Sequence, residues 1–158
     1  MTGLSFLADI VLVTTAALLF YAAFTDLKHF IIPNGLVAVV GLMYFAHAAL
    51  IGDWAGMPGH FGFALVIFIF LLLAYARRWI GGGDVKLLAV AFLWTGVPDA
   101  FVFSLLLCVF AILHTLVVRF GPIAVGRVDD SDGKTRIAFA PSIAAALIGV
   151  FMLGYALR

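Results

Sequence analysis

Two aspartates stand out from an otherwise apolar chain: Asp26, in the segment FTDLKHFIIPN, and Asp84, in RRWIGGGDVKLL. Ionisable groups at membrane depth are costly and usually mark function. Two carboxylates brought together resist ionising at the same time, because each disfavours the charge of the other. Such a pair holds one proton near neutrality. Its charged member can take a proton from water while its protonated member hydrogen-bonds a scissile carbonyl. That division of labour hydrolyses a peptide bond without metal, cofactor or covalent intermediate. Each aspartate also has a plainer reading, Asp26 as an interfacial charge beside Lys28 and Asp84 as a helix N-cap, which Asp favours. Their coincidence on one membrane face favours the chemical reading.

The residues around them suit the same task. Gly81, Gly82 and Gly83 precede Asp84, and glycine tolerates positive φ and close approach of another backbone. A peptidase holds its substrate extended while cutting it, so a strip without side chains beside the site is useful. A helix starting at about Asp84 would also set that carboxylate near a positive dipole end. The string is not a phosphate loop, because no Gly-Lys-Ser/Thr follows it. Lys86 is positioned to tune the charge of the pair or to bind a lipid phosphate. Pro33 and Asn34 restart the chain after Asp26, and a third segment, TRIAFAPSIAAA, leads into an apolar run around Pro141.

These segments must be positioned by membrane helices. Of 158 residues, 66% are hydrophobic and 11% charged, and mean hydropathy is +1.25. A soluble domain of that composition could not cover itself with polar surface. A spanning helix needs about 20 mostly apolar residues, so the expected fold class is all-α, a polytopic bundle of about six transmembrane helices. The apolar runs predict helices at 4–25, 35–51, 60–77, 85–97, 99–119 and 138–157. The fourth is short and either tilts, stops below the far surface, or runs into the fifth through Val97-Pro98-Asp99. The expected organisation is one integral-membrane domain over residues 1–158, with no soluble domain before or after it. The first run has no basic segment ahead of it and carries Asp9, so it does not read as a cleavable signal. The polar stretch Arg119–Arg136 reads as a solvated loop.

With six spans, Lys28, Arg77, Arg78, Lys86, Arg119, Arg127, Lys134 and Arg136 fall on one side and only Arg158 on the other. The side rich in Lys and Arg is the cytoplasmic one. It holds all three segments, including both aspartates.

At these residues the sequence resembles the type IV prepilin peptidases, bacterial relatives of archaeal preflagellin peptidases. That family carries an Asp six residues before Ile-Pro-Asn and a later Gly-x-Gly-Asp-x-Lys. Asp26 precedes Ile32-Pro33-Asn34 with that spacing, and Gly81, Gly83, Asp84 and Lys86 fill the second motif. Phe139-Ala140-Pro141 looks like the family's Phe-Gly-Pro element, with Ala140 in place of glycine. The resemblance implies a GxGD intramembrane aspartyl peptidase with Asp26 and Asp84 catalytic and Gly81, Gly82, Gly83, Lys86, Pro33, Asn34 and Pro141 shaping the site. It also implies a prepilin or pseudopilin substrate, cut between a basic leader and its hydrophobic helix, in the bacterial cytoplasmic (inner) membrane. Longer members carry a cytoplasmic insertion with two Cys-x-x-Cys pairs and often methylate the new N-terminus. Cys108 is the one cysteine here, so the chain looks like the short form associated with Flp-type (tight-adherence) pili.

The remaining features are bland. Cys108 is too few to build a zinc site and reads as a buried apolar residue. His29 sits near Lys28 at headgroup level, and His47, His60 and His114 show no ligand spacing. No metal, cofactor or nucleic-acid partner is expected, and membrane lipid is. Two other function classes stay open: a small proton- or cation-coupled transporter using the same aspartates, and a non-catalytic pilus or secretion assembly factor.

Overall fold

The computed structural model describes residues 3–120, 127–129 and 135–156. Helix α1 spans Gly3–His29, α2 Asn34–Ile51, α3 Met57–Ala76 and α4 Gly82–Phe120. Two short strands, β1 (Arg127–Asp129) and β2 (Thr135–Ile137), pair antiparallel with Val128 opposite Arg136. Helix α5 follows at Ala140–Ala156. The polar stretch expected as a loop therefore contains a hairpin, while Asp130, Ser131, Asp132 and Lys134 lie outside the described residues.

Helices α1 to α4 are each long and apolar enough to cross a bilayer, and α5 is a shorter apolar helix. The protein is an all-α membrane helix bundle. Its outward surface is made of side chains such as Phe6, Val13, Phe20, Phe70 and Phe101, each more than 60% exposed. Helix α3 buries only Ala64, and a helix apolar all round with so little protein contact fits lipid. Away from its ends, the backbone groups of such a helix are satisfied within the helix, as the bilayer requires.

The bundle is built around α4 and α5. Helix α4 packs on α2, α3 and α5, and α1 packs on α2 and α5. The core joins Leu19 of α1, Val40 of α2, Leu87 and Phe103 of α4, and Ile143 and Leu147 of α5. Ser142, Ala144 and Ala146 are among the buried residues of α5, and small residues let neighbouring helices approach closely.

The expected fourth and fifth helices follow one another without a loop, as two helices that meet at a kink within α4. Helix α4 has a single non-helical residue, Gly96, with φ 55 and ψ −164. Pro98 accounts for the break, since its ring and missing N–H disrupt the turn before it. The break falls at Gly96 rather than at Val97–Asp99, because only glycine takes that backbone readily. An unbroken helix would direct the Leu93 carbonyl to the amide of residue 97. Here the His60 ring, at the start of α3, meets that carbonyl instead (Nδ1 to O, 3.0 Å). The adjacent Trp94 indole donates to the Val40 carbonyl at 3.0 Å. His60, unremarkable in the sequence, thus tends a helix break.

Candidate active site

Helix α1 does not stop at Asp26. It runs three residues further, with Lys28 and His29 in its last turn, where cations suit the helix dipole. Phe30, at φ 54, then turns the chain, and its amide donates to the Asp26 carbonyl oxygen at 2.9 Å. Pro33 excludes helix from the residue before it and starts α2, where its carbonyl accepts the amides of Leu36 and Val37. Asp26 is thus held in a helix's final turn rather than at its tip, and only 5% exposed.

Helix α3 ends in a Schellman turn, with Arg78 at φ 60 and the Trp79 amide donating to the Ala74 carbonyl at 3.0 Å. The chain then enters α4 at Gly82. Asp84 is the third residue of that helix, so it is not the N-cap. It lies in the first turn of α4, at the positive end of the helix dipole. The Gly81 carbonyl accepts the Val85 amide and opens the helix.

The glycines work by close approach, not by positive φ, which among glycines occurs only at Gly52 and Gly96 among the described residues. A β-carbon at Gly81 would lie 3.0 Å from Asp84 Oδ2. One at Gly82 would lie 3.2 Å from the Tyr75 ring, and one at Gly83 3.2 Å from Cβ of Ile32. The last contact presses the start of α4 against the chain just before Pro33, which brings the Asp26 and Asp84 segments together.

One open cavity of about 270 Å³ is lined by Asp26 and Asp84 together with Asn34, Gly81, Gly82, Gly83 and Lys86. The two carboxylates lie within electrostatic reach of each other. Lys86 Nζ donates to Asn34 Oδ1 at 2.9 Å, tying the second motif to the first; of the two roles open to Lys86 in the sequence, neither anticipates this contact. Pro33 and Pro141 do not line the cavity. The third segment reaches it through the backbone instead: the Ala140 amide donates to Asp26 Oδ2 at 2.9 Å, and the Phe139 backbone lies within electrostatic reach of the same carboxylate. Pro141 is the second residue of α5, a position where its missing N–H would have had no helical partner.

Sequence reasoning missed four contributors. Phe30 and Ile31 line the cavity from a stretch that looked like connection. Ala140 matters through its N–H, which has no side-chain signature. His114 of α4 lies within electrostatic reach of Asp26 and approaches Ser142 Oγ at 3.4 Å. Among the described residues no group of three or more His, Cys, Asp or Glu is placed to hold a metal ion.

The model of the type IV leader peptidase family matches residues 13–116. The chain belongs to that family. The matched span carries both aspartates, the Ile-Pro-Asn and the triple glycine, and as a leader peptidase relative the chain is a protease of that kind. It ends before α5, so the role of Ala140 rests on the geometry of its amide. Comparison with curated proteins and with solved structures gives no match.

Proposed function

We propose that the chain is an intramembrane aspartyl endopeptidase that removes the leader from type IV prepilin or pseudopilin-like proteins at the cytoplasmic face of the bacterial inner membrane. The observation that carries this reading is the shared cavity of Asp26 and Asp84 in a chain of the leader peptidase family. In this mechanism one carboxylate is charged and the other protonated. The charged one takes a proton from water as the water oxygen adds to the scissile carbonyl carbon. The protonated one hydrogen-bonds the carbonyl oxygen as it gains charge. The tetrahedral intermediate then collapses, the C–N bond breaks, and a carboxyl proton passes to the leaving nitrogen. The Ala140 amide on Asp26 fixes its orientation, and geometry controls such sites sharply. A carrier site is expected near the bilayer midplane, whereas Asp26 and Asp84 lie in the last turn of α1 and the first turn of α4.

Incubating the purified chain with a prepilin and reading the product by mass tests the activity. The expected product is the mature pilin, cut after its leader and unmethylated, since the sequence lacks the Cys-x-x-Cys insertion. Uncut substrate would refute the peptidase, and an N-methylated product made by this chain alone would refute the short-form assignment.

The cytoplasmic placement has its own test. Single cysteines at Ser131 and Asp53, in a Cys108→Ser background, are expected to label from opposite sides, with position 131 cytoplasmic. Labelling of both from the outer side would overturn the orientation.

A further inference from the structure

A second cavity, of about 180 Å³, lies at the other end of the bundle. Leu12 of α1 borders it, 14 residues before Asp26 and so about 21 Å away along the helix. Its distinctive lining is Tyr44, Asp53, His60, Trp94, Asp99 and Phe151, drawn from four helices and the turn after α2. Among the described residues no Lys or Arg lines it.

Tyr44 is the informative residue. It is 4% exposed, and its hydroxyl has no hydrogen-bond partner among the described residues. A buried hydroxyl left unpaired is costly. The ring cannot swing away to find water. It stacks on His60 (centroids 5.4 Å apart, planes 18° apart) and meets Trp94 edge-on at 5.7 Å. His60 is itself engaged with the Leu93 carbonyl at the α4 break. The Asp53 carboxylate lies within electrostatic reach of the Tyr44 hydroxyl. One Asp53 oxygen accepts the Gly56 amide at 3.0 Å, which leaves lone pairs for another partner.

We propose that this cavity binds a primary ammonium group, presented by an ethanolamine lipid headgroup or by a short free amine. An ammonium offers three N–H donors and no acceptor, and Asp53, Asp99 and the Tyr44 hydroxyl supply three accepting sites. The Trp94 and Phe151 rings, themselves edge-to-face at 4.9 Å, suit a cation through their π faces. An anion would meet two carboxylates and, among the described residues, no Lys or Arg. A hard divalent cation wants six or more oxygens, and beyond its two carboxylates this lining is mostly aliphatic and aromatic. The volume is below the roughly 300–1,000 Å³ of drug-sized sites, so a headgroup or small amine fits and an acyl chain does not.

The test uses the purified chain in detergent and in nanodiscs. The thermal unfolding midpoint is followed against ethanolammonium chloride, with tetramethylammonium chloride and sodium chloride at equal ionic strength. Ethanolammonium is expected to raise the midpoint saturably and the other two are not. Tyr44→Phe keeps the ring, removes only the hydroxyl, and is expected to weaken this response about tenfold or more, as losing a hydrogen bond to a charged group does. Asp99→Asn, at an exposed position, provides the second variant. Native mass spectrometry then separates the sources. Retention of phosphatidylethanolamine over phosphatidylcholine assigns the site to lipid, whereas an ethanolammonium response without lipid preference assigns it to a soluble amine. An equal response to all three salts, or an unchanged response in both variants, overturns the proposal and leaves a cavity filled by water.

Discussion

Asp26→Asn and Asp84→Asn are each expected to lower prepilin cleavage by about 10²–10⁴-fold, the usual contribution of a positioned acid or base. The double variant is expected to be scarcely worse than either single one. In the proposed mechanism the two carboxylates share one task and one proton, so removing either leaves nothing for the other to complete, and groups that act as a unit are strongly non-additive. Glutamate at either position keeps the charge and moves it by a methylene. At Asp26 that displacement takes the carboxylate away from the Ala140 amide, so a comparable loss is expected. Folding is expected to survive Asp→Asn, because an amide oxygen can still accept that N–H. Alanine at Asp130 and Asp132, in the polar segment after β1, serves as the control and is expected to leave cleavage intact. The measurement is mass-resolved cleavage by each purified variant, with helical content checked by circular dichroism. Near-normal cleavage by either well-folded Asn variant would remove the dyad.

The second large effect concerns stability. Gly96→Ala places a β-carbon on a residue at φ 55 and ψ −164, a region essentially reserved for glycine, at about 1–3 kcal/mol. The new atom would also lie 2.5 Å from the His60 ring. Overpacking of that kind costs roughly a further 1–3 kcal/mol. The ring cannot simply retreat, because doing so breaks its contact with the Leu93 carbonyl and its stacking on Tyr44. Unfolding in detergent is therefore expected to begin at clearly lower temperature or denaturant concentration. His60→Ala in the same background relieves the collision but neither the backbone strain nor the abandoned carbonyl, so recovery should be partial. Wild-type stability in Gly96→Ala would show that α4 does not break there.

What was legible in the sequence had a chemical contrast with its surroundings. Asp26 and the Gly81–Asp84 string were visible because charge and glycine interrupt apolar runs, and the helices because a bilayer imposes length and composition. The position of the α4 break was only half visible. Pro98 announced a disruption, but the residue that absorbs it is the glycine two positions earlier, which can adopt a backbone its neighbours cannot. His60 was passed over because its partner is a carbonyl 33 residues away, outside any ligand spacing. The holding of Asp26 was out of reach for a deeper reason: backbone amides are the same in every residue but proline, so nothing in the letter at position 140 reports that its N–H is the one used. Lys86 was noticed for its charge, and its actual partner, Asn34, was noticed separately, but only the fold puts Ile32 against Gly83 and so aligns the two.

The amide on Asp26 comes from 114 residues further along the chain, and this has a bearing on biogenesis. A nascent chain inserted as far as α4 already carries both aspartates, yet the segment that orients one of them has not been synthesised. On the proposed mechanism the site is therefore completed by the arrival of α5, the last described helix, and a chain arrested before it would carry both aspartates without the amide that holds Asp26.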